Sequence, residues 1–273
     1  MTVAAPAHEP TGPPVFVLAG GGRTGSTLVQ RLLISTGEIM IWGEHGGLLL
    51  DAVQRIVYGI RDWIDSAGGR QLAKFAQQGW NSFIPNLNPP HEAFLEGARA
   101  ALRESLAVPA ATLGYRRWGF KEIRYDAAAV SLLRTLFPDA AIVVLVRHPE
   151  AALRSIKATP WYEKDHDARP DVFLNRWATL SSSLAGTRSA GAGVLFLRYE
   201  ELVADAEGVI AQLAAHVAVD QHRFNPLALT TRLRGITEEL APLQDRDRAA
   251  LAAPAVRQAA AILGYDVERP APN

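Results

Sequence analysis

VFVLAGGGRTGSTLVQRLL, residues Val15 to Leu33, decides how the rest of the chain is read. Five apolar residues, Val15 to Ala19, run into a glycine cluster, Gly20 to Gly25, and then into a segment where Leu28, Leu32 and Leu33 recur at helical spacing. That succession reads as strand, tight loop and helix. Glycines turn the backbone through φ > 0 and let its N–H groups approach a ligand closely. The helix start adds unpaired donors and a partial positive charge, which suits a phosphate or a sulfate. The plain alternative is a strand-to-helix turn that binds nothing.

The same alternation continues outward. Ile39 to Trp42 reads as a second strand ending at Gly43-Glu44-His45, and Trp118 to Lys121 as a third, followed by a helix over Asp126 to Leu136. Ala141 to Val146 (AIVVLV) is a fully buried strand by its unbroken apolar run. Pro149 then falls at the first position of a helix, with Glu150 in its first turn. Asp171 to Arg188 is predicted helical, Val194 to Leu197 a strand, and Leu202 to Val217 and Arg246 to Leu263 one helix each. Apolar strands alternating with helices predict a parallel sheet covered on both faces. The expected fold is therefore α/β, a P-loop-like three-layer sandwich. Its single domain spans residues 15–273 after a disordered leader at 1–14, with a helical insertion at about 46–115.

Bulk properties narrow the function. Lys+Arg and Asp+Glu each total 28, so no overall field draws the chain to nucleic acid or to an anionic membrane. There are no cysteines, which excludes disulfides, thiolate nucleophiles and Cys-bound zinc. The seven histidines show no metal-ligand spacing, and no metal is expected. The first residues lack the basic start of a secretory signal and no run approaches a membrane span, so a cytoplasmic protein is expected.

Three ligand classes fit the glycine loop. Gly20, Gly22 and Gly25 satisfy G-x-G-x-x-G, with Glu44 placed further on as a dinucleotide site requires, so an NAD(P)-dependent oxidoreductase is one reading. An NTP site is disfavoured, because Ser26 stands where the P-loop lysine belongs and the strand Ala141 to Val146 offers no metal-binding Asp. A 5′-phosphosulfate, with fewer phosphates to neutralise and no magnesium bridge, suits Arg23 as the cation. Gly22, Thr24, Gly25, Ser26 and Thr27 would then supply N–H groups and hydroxyls.

A second constellation lies at Arg147-His148-Pro149, with Ser155 eight residues after Arg147. A guanidinium at a strand end and a hydroxyl about two turns into the next helix can hold one phosphate from two sides. Together, GGRTGSTLVQRLL and LVRHPEAALRSIKA resemble the 5′-phosphosulfate and 3′-phosphate motifs of the sulfotransferases that use 3′-phosphoadenosine 5′-phosphosulfate (PAPS). LRYEELVAD is similar to that family's third landmark, which implies Tyr199 near the adenine. The resemblance runs from about residue 15 to 265 and is loosest over 46–115.

It implies sulfuryl transfer to a hydroxyl or amine of a small-molecule acceptor, with PAPS as co-substrate. Arg23 and Lys121, in WGFKEIR, are then the cations at the reacting group. Gly43-Glu44 is similar to the Gly-Glu of the branch that sulfates protein tyrosines, which implies Glu44 as the base; His45 is the alternative. Two family features are absent: a K-T-H-type segment and the C-terminal Gly-Lys motif, for which Arg232-Leu233-Arg234-Gly235 is a loose substitute. A catalytically silent module that binds adenosine 3′,5′-bisphosphate remains the third reading.

Overall fold

The computed structural model describes residues 12–59, 61–64, 68–189, 193–231 and 240–269. Its centre is a five-stranded, wholly parallel sheet. The strands are β1 (Val15–Ala19), β2 (Ile39–Trp42), β3 (Arg117–Glu122), β4 (Ala141–Val146) and β5 (Val194–Arg198), in the order β2-β3-β1-β4-β5. The three central strands are buried along their whole length, as parallel strands covered on both faces must be. Pro14, placed in the leader by sequence, already accepts the amide of Ala141 and so prolongs the β1–β4 ladder.

The principal helices are α1 (Ser26–Ser35), α2 (Leu48–Val57), α3 (His91–Leu102), α4 (Ala127–Leu136), α5 (Pro149–Lys157), α6 (Pro170–Ala185), α7 (Ala206–Val217), α8 (Asp245–Leu251) and α9 (Pro254–Leu263). Side chains of successive strand residues point to opposite faces. Phe16, Leu18, Trp118, Phe120, Ile142 and Val144 therefore pack with α2, α3 and α4, while Val15, Val17, Ile41, Val143 and Leu145 pack with α1 and α7. A third cluster, built from α5, α6, α8 and α9, buries Trp177 and Val146. Phe16 is the hub of the first face, its ring meeting those of Trp118, Phe120 and Phe137. Phe16→Ala is expected to cost about 3–5 kcal/mol of stability, read from the urea midpoint at unchanged slope.

The segment between β2 and β3 is helical, through α2, Gly69–Gln78, α3 and the turns that follow it to Thr112. Two predicted helices are each divided in two. The helix expected over Leu202 to Val217 breaks at Asp205, whose carboxylate leaves the first helix (Tyr199–Ala204) and caps α7 at the Gly208 amide. The helix expected over Arg246 to Leu263 breaks before Pro254, which has no N–H and restarts the chain as the first residue of α9.

This topology places the site. The connection leaving β1 runs through α1 on one face of the sheet, and the connection leaving β3 runs through α4 on the other. Where neighbouring connections part in this way, a crevice opens outside the carboxyl ends of the strands.

Candidate active site

A cavity of about 890 Å³ occupies that crevice. Among the described residues six Lys and Arg side chains line it, Arg23, Arg31, Lys121, Arg124, Arg147 and Arg176, against the two carboxylates of Glu44 and Asp165. Its size suits one organic ligand, and its charge selects an anion.

The glycine loop forms the cavity's floor. Gly25 caps α1 with φ of 89°, in the left-handed region, and no side chain caps the helix start. A Cβ at Gly25 would collide with the ring of Tyr199, so the position is closed to side chains both by conformation and by contact. Ser26 and Thr27, at the start of α1, line the cavity. Thr24 does not: it is fully buried, and its hydroxyl bonds the Gly21 carbonyl 3.2 Å away, so it braces the loop. Gly22 lines the wall, and Arg23 is held at φ 63°, which turns its side chain towards the second motif.

There the two motifs join. Arg23 Nε donates to Ser155 Oγ at 2.9 Å, and Arg147 Nη1 donates to the Arg23 carbonyl at 3.0 Å. Arg147 lies flat over Tyr199, its guanidinium carbon 4.0 Å from the ring centroid. The Trp177 indole bonds the Arg147 carbonyl at 3.1 Å. Glu200 closes the frame, accepting the His148 amide and the Tyr265 hydroxyl, each at 2.8 Å. The sequence reading did not single out Trp177 or Glu200. Glu200 adjoins Tyr199 in the third motif, but nothing local shows that it reaches His148 across the fold.

The electrostatics of this frame favour an anion. Burial, and secondarily the nearby Arg147, holds Arg23 below its ordinary value, and burial does the same to Arg147. Both stay charged, since a guanidinium does not deprotonate in this setting. Arg147 Nε is buried and has no hydrogen-bond partner among the described residues. Two like charges, one with an unused buried donor, are stabilised by a ligand that brings negative oxygens between them. Phosphate and sulfate groups fit the residues present.

On the other side of the loop, Glu44 leaves β2 and enters the same cavity. Its Oε1 pairs with Lys121 Nζ, and its Oε2 accepts Arg124 Nη1 at 2.9 Å. Lys121 is nine-tenths buried and paired with Glu44. Strand alternation sends Lys121 and Glu122 to opposite faces of β3.

Among the described residues, His45 does not line the cavity; its ring packs edge-to-face on Phe120, 5.1 Å between centroids. Burial lowers its pKa despite the opposing charge of Glu122. The geometry therefore separates the two adjacent candidates for the base, and only Glu44 reaches the cavity.

Trp161 also lines the cavity, whereas Tyr162 is buried beside it. Trp63, Phe75, Trp80 and Phe83, in the segment between β2 and β3, are exposed, Trp80 by 86% and Phe83 by 82%. The Arg232–Gly235 stretch lies outside the described residues. Among the described residues no cluster of His, Asp and Glu has the makings of a metal site, and no helix is long and apolar enough to cross a membrane.

Fold and cavity define a P-loop-like α/β protein with a cavity rich in basic side chains at the carboxyl edge of its sheet. Residues 13–223, more than half of the chain, match the family model described as "Sulfotransferase family", and the chain belongs to that family. Among solved structures it is similar to the sulfotransferase domain from the curacin biosynthetic pathway, with TM-score 0.54 and 14% identity over 94% of this chain and 99% of that one. It is also similar to sulfotransferase STF9 from Mycobacterium avium, with TM-score 0.49 and 13% identity over 94% of this chain and 76% of that one. No curated protein matches by sequence. At 14% identity the likeness to the curacin-pathway domain speaks to fold, and family membership rests on the family model. It leaves the dinucleotide reading of Gly20, Gly22 and Gly25 without support.

Proposed function

We propose that the chain transfers a sulfuryl group from PAPS to a hydroxyl or amine of a small-molecule acceptor. One observation carries the reading: Arg23, Arg147 and Ser155, drawn from two motifs more than a hundred residues apart, form a single hydrogen-bonded group on the cavity that also holds Glu44 and Lys121. A donor with phosphates at both ends of its ribose needs two adjoining cationic sites. The loop and the start of α1 would receive the 5′-phosphosulfate, Arg147 and Ser155 the 3′-phosphate, and Arg23 lies between them. Tyr199, already stacked under Arg147, would meet the adenine.

In the transfer, the acceptor oxygen or nitrogen bonds to sulfur while the bond from sulfur to the bridging oxygen breaks. The electron pair stays on the 5′-phosphate, which leaves as adenosine 3′,5′-bisphosphate. By analogy with phosphoryl transfer, the transition state is loose, and positioning and electrostatics dominate. Glu44 takes the acceptor's proton. Lys121 orients Glu44 and, with Arg23, stabilises charge developing on the oxygens around sulfur. The family supports a small-molecule acceptor, and no nucleic-acid or membrane partner enters the reading.

The test is calorimetric binding of adenosine 3′,5′-bisphosphate beside NADH and ATP. Micromolar binding of the bisphosphate, with the other two at least about tenfold weaker, is the expected result. Preferential binding of NADH would overturn the donor assignment.

A further inference from the structure

Glu122 is a second carboxylate in this region, and it does not face the cavity. It is fully buried at the end of β3, among the apolar side chains that pack with α2 and α4. A buried carboxylate destabilises a fold by several kcal/mol unless its oxygens are satisfied. Here both oxygens are. Oε1 accepts the Ile123 amide and Arg124 Nη1, each at 2.8 Å. Oε2 accepts the amides of His45 at 3.0 Å and Gly47 at 2.9 Å.

Those last two donors belong to the turn that carries Glu44. The turn passes through Gly46 at φ 67° and Gly47 at φ 80°, left-handed positions that let two of its N–H groups converge on one oxygen. Arg124 Nη1 meanwhile bridges the two carboxylates, reaching Glu122 at 2.8 Å and Glu44 at 2.9 Å. We propose that Glu122 is a positioning residue: it fixes the turn after β2 from beneath and holds Arg124, so that Glu44 enters the cavity at one angle beside Lys121.

The electrostatics agree with that geometry. Burial alone would raise the Glu122 pKa, but the amides of Ile123 and Gly47, the Arg124 guanidinium and the His45 amide outweigh it and bring it below the usual carboxylate range. Burial likewise works to lower Arg124, while Glu44 and Glu122 together raise it. The buried carboxylate and its guanidinium thus remain an ion pair at neutral pH. Anchoring of this kind matters to rate because a misplacement of about 1 Å in a reacting group can cost roughly 10²-fold.

The inference rests on Glu44 being the base, and the experiment separates the two ideas. Turnover of PAPS to the bisphosphate is measured for Glu44→Gln, Glu122→Gln and the double variant. The acceptor is the fastest from a panel of phenols, primary alcohols and amines tried with the unaltered enzyme. Amide hydrogen exchange over residues 43–47 is read on the same proteins.

Glu122→Gln is expected to lower kcat by about ten- to a hundredfold and leave bisphosphate affinity within about threefold. It should also speed exchange at His45 and Gly47 by at least about tenfold. In the Glu44→Gln background the same change should add no further loss of kcat, because its effect passes through Glu44. Should Glu122→Gln fail to fold, Arg124→Lys is the second variant. Its single ammonium cannot bridge two carboxylates, and the same non-additivity with Glu44→Gln is expected.

Unchanged kcat and unchanged exchange in Glu122→Gln would overturn the inference and leave Glu44 as the base. So would an equal loss of kcat in both backgrounds. A wild-type kcat in Glu44→Gln would remove the base reading itself, and the positioning role with it.

Discussion

Glu44→Gln is expected to lower kcat by about 10²–10⁴-fold, the usual contribution of general-base assistance, while bisphosphate affinity changes by less than about threefold. The substitution keeps the shape of the side chain. It keeps one oxygen able to accept from Lys121 or Arg124, which now hold its two oxygens. It removes the group proposed to take the acceptor's proton. Donor affinity should be spared because Arg23 and Arg147, the cations proposed to meet the phosphates, donate to Ser155 and to the loop carbonyl rather than to Glu44. The measurement is steady-state turnover alongside calorimetry with adenosine 3′,5′-bisphosphate. Unchanged turnover would move the proton acceptor elsewhere or leave a module that binds nucleotide without reacting. His45 is a poor substitute on this geometry, since its ring faces Phe120 rather than the cavity.

Arg147→Ala is expected to weaken adenosine 3′,5′-bisphosphate by about tenfold to a hundredfold, the worth of one or two charge-assisted hydrogen bonds. Adenosine 5′-monophosphate, which lacks the 3′-phosphate, should lose no more than about fivefold. Some loss is expected for both ligands, because Arg147 also braces the glycine loop through the Arg23 carbonyl and stacks on Tyr199. The ratio between the two ligands therefore carries the assignment. Equal losses would mean that Arg147 serves only as a brace. The bisphosphate loss should also shrink as salt rises, though less than for an exposed cation, because Arg147 is largely buried.

Much of this protein is legible from its residues in order. The strand AIVVLV is buried wherever it falls in a fold, because six apolar residues in a row leave no face for water. Gly20 to Gly25 between an apolar strand and a periodic segment specify a turn and a helix start with no side-chain cap, since both properties are local to the backbone. Pro149 behind Arg147-His148 fixes where α5 begins, again by local chemistry. Tyr199, Arg147 and Ser155 are readable as a set through family motifs, and all three fall within the residues that the family model matches.

Sequence left the choice between Glu44 and His45 open. Adjacent residues in a turn point in different directions, and only the packing of Phe120 and the pull of Glu122 set which one meets the cavity. Lys121 and Glu122 posed the same problem on a strand. Their neighbourhood in sequence suggests a pair, while their alternation separates them and gives each a partner about eighty residues away. The breaks at Asp205 and before Pro254 were visible as residues, but apolar periodicity carried across them.

Residue order alone specifies the layered α/β arrangement, the glycine-rich loop and the second cationic motif, because each depends on backbone conformation or on contiguous hydrophobicity. How the charges are shared follows from the fold in three dimensions. Arg23 is tied to Ser155, Glu44 lies between Lys121 and Arg124, and the buried carboxylate of Glu122 holds the turn beneath. Those pairings join residues as far as 132 positions apart. They form because charges buried in one crevice must find partners or remain destabilised, and which partner lies within reach is a property of the folded sheet.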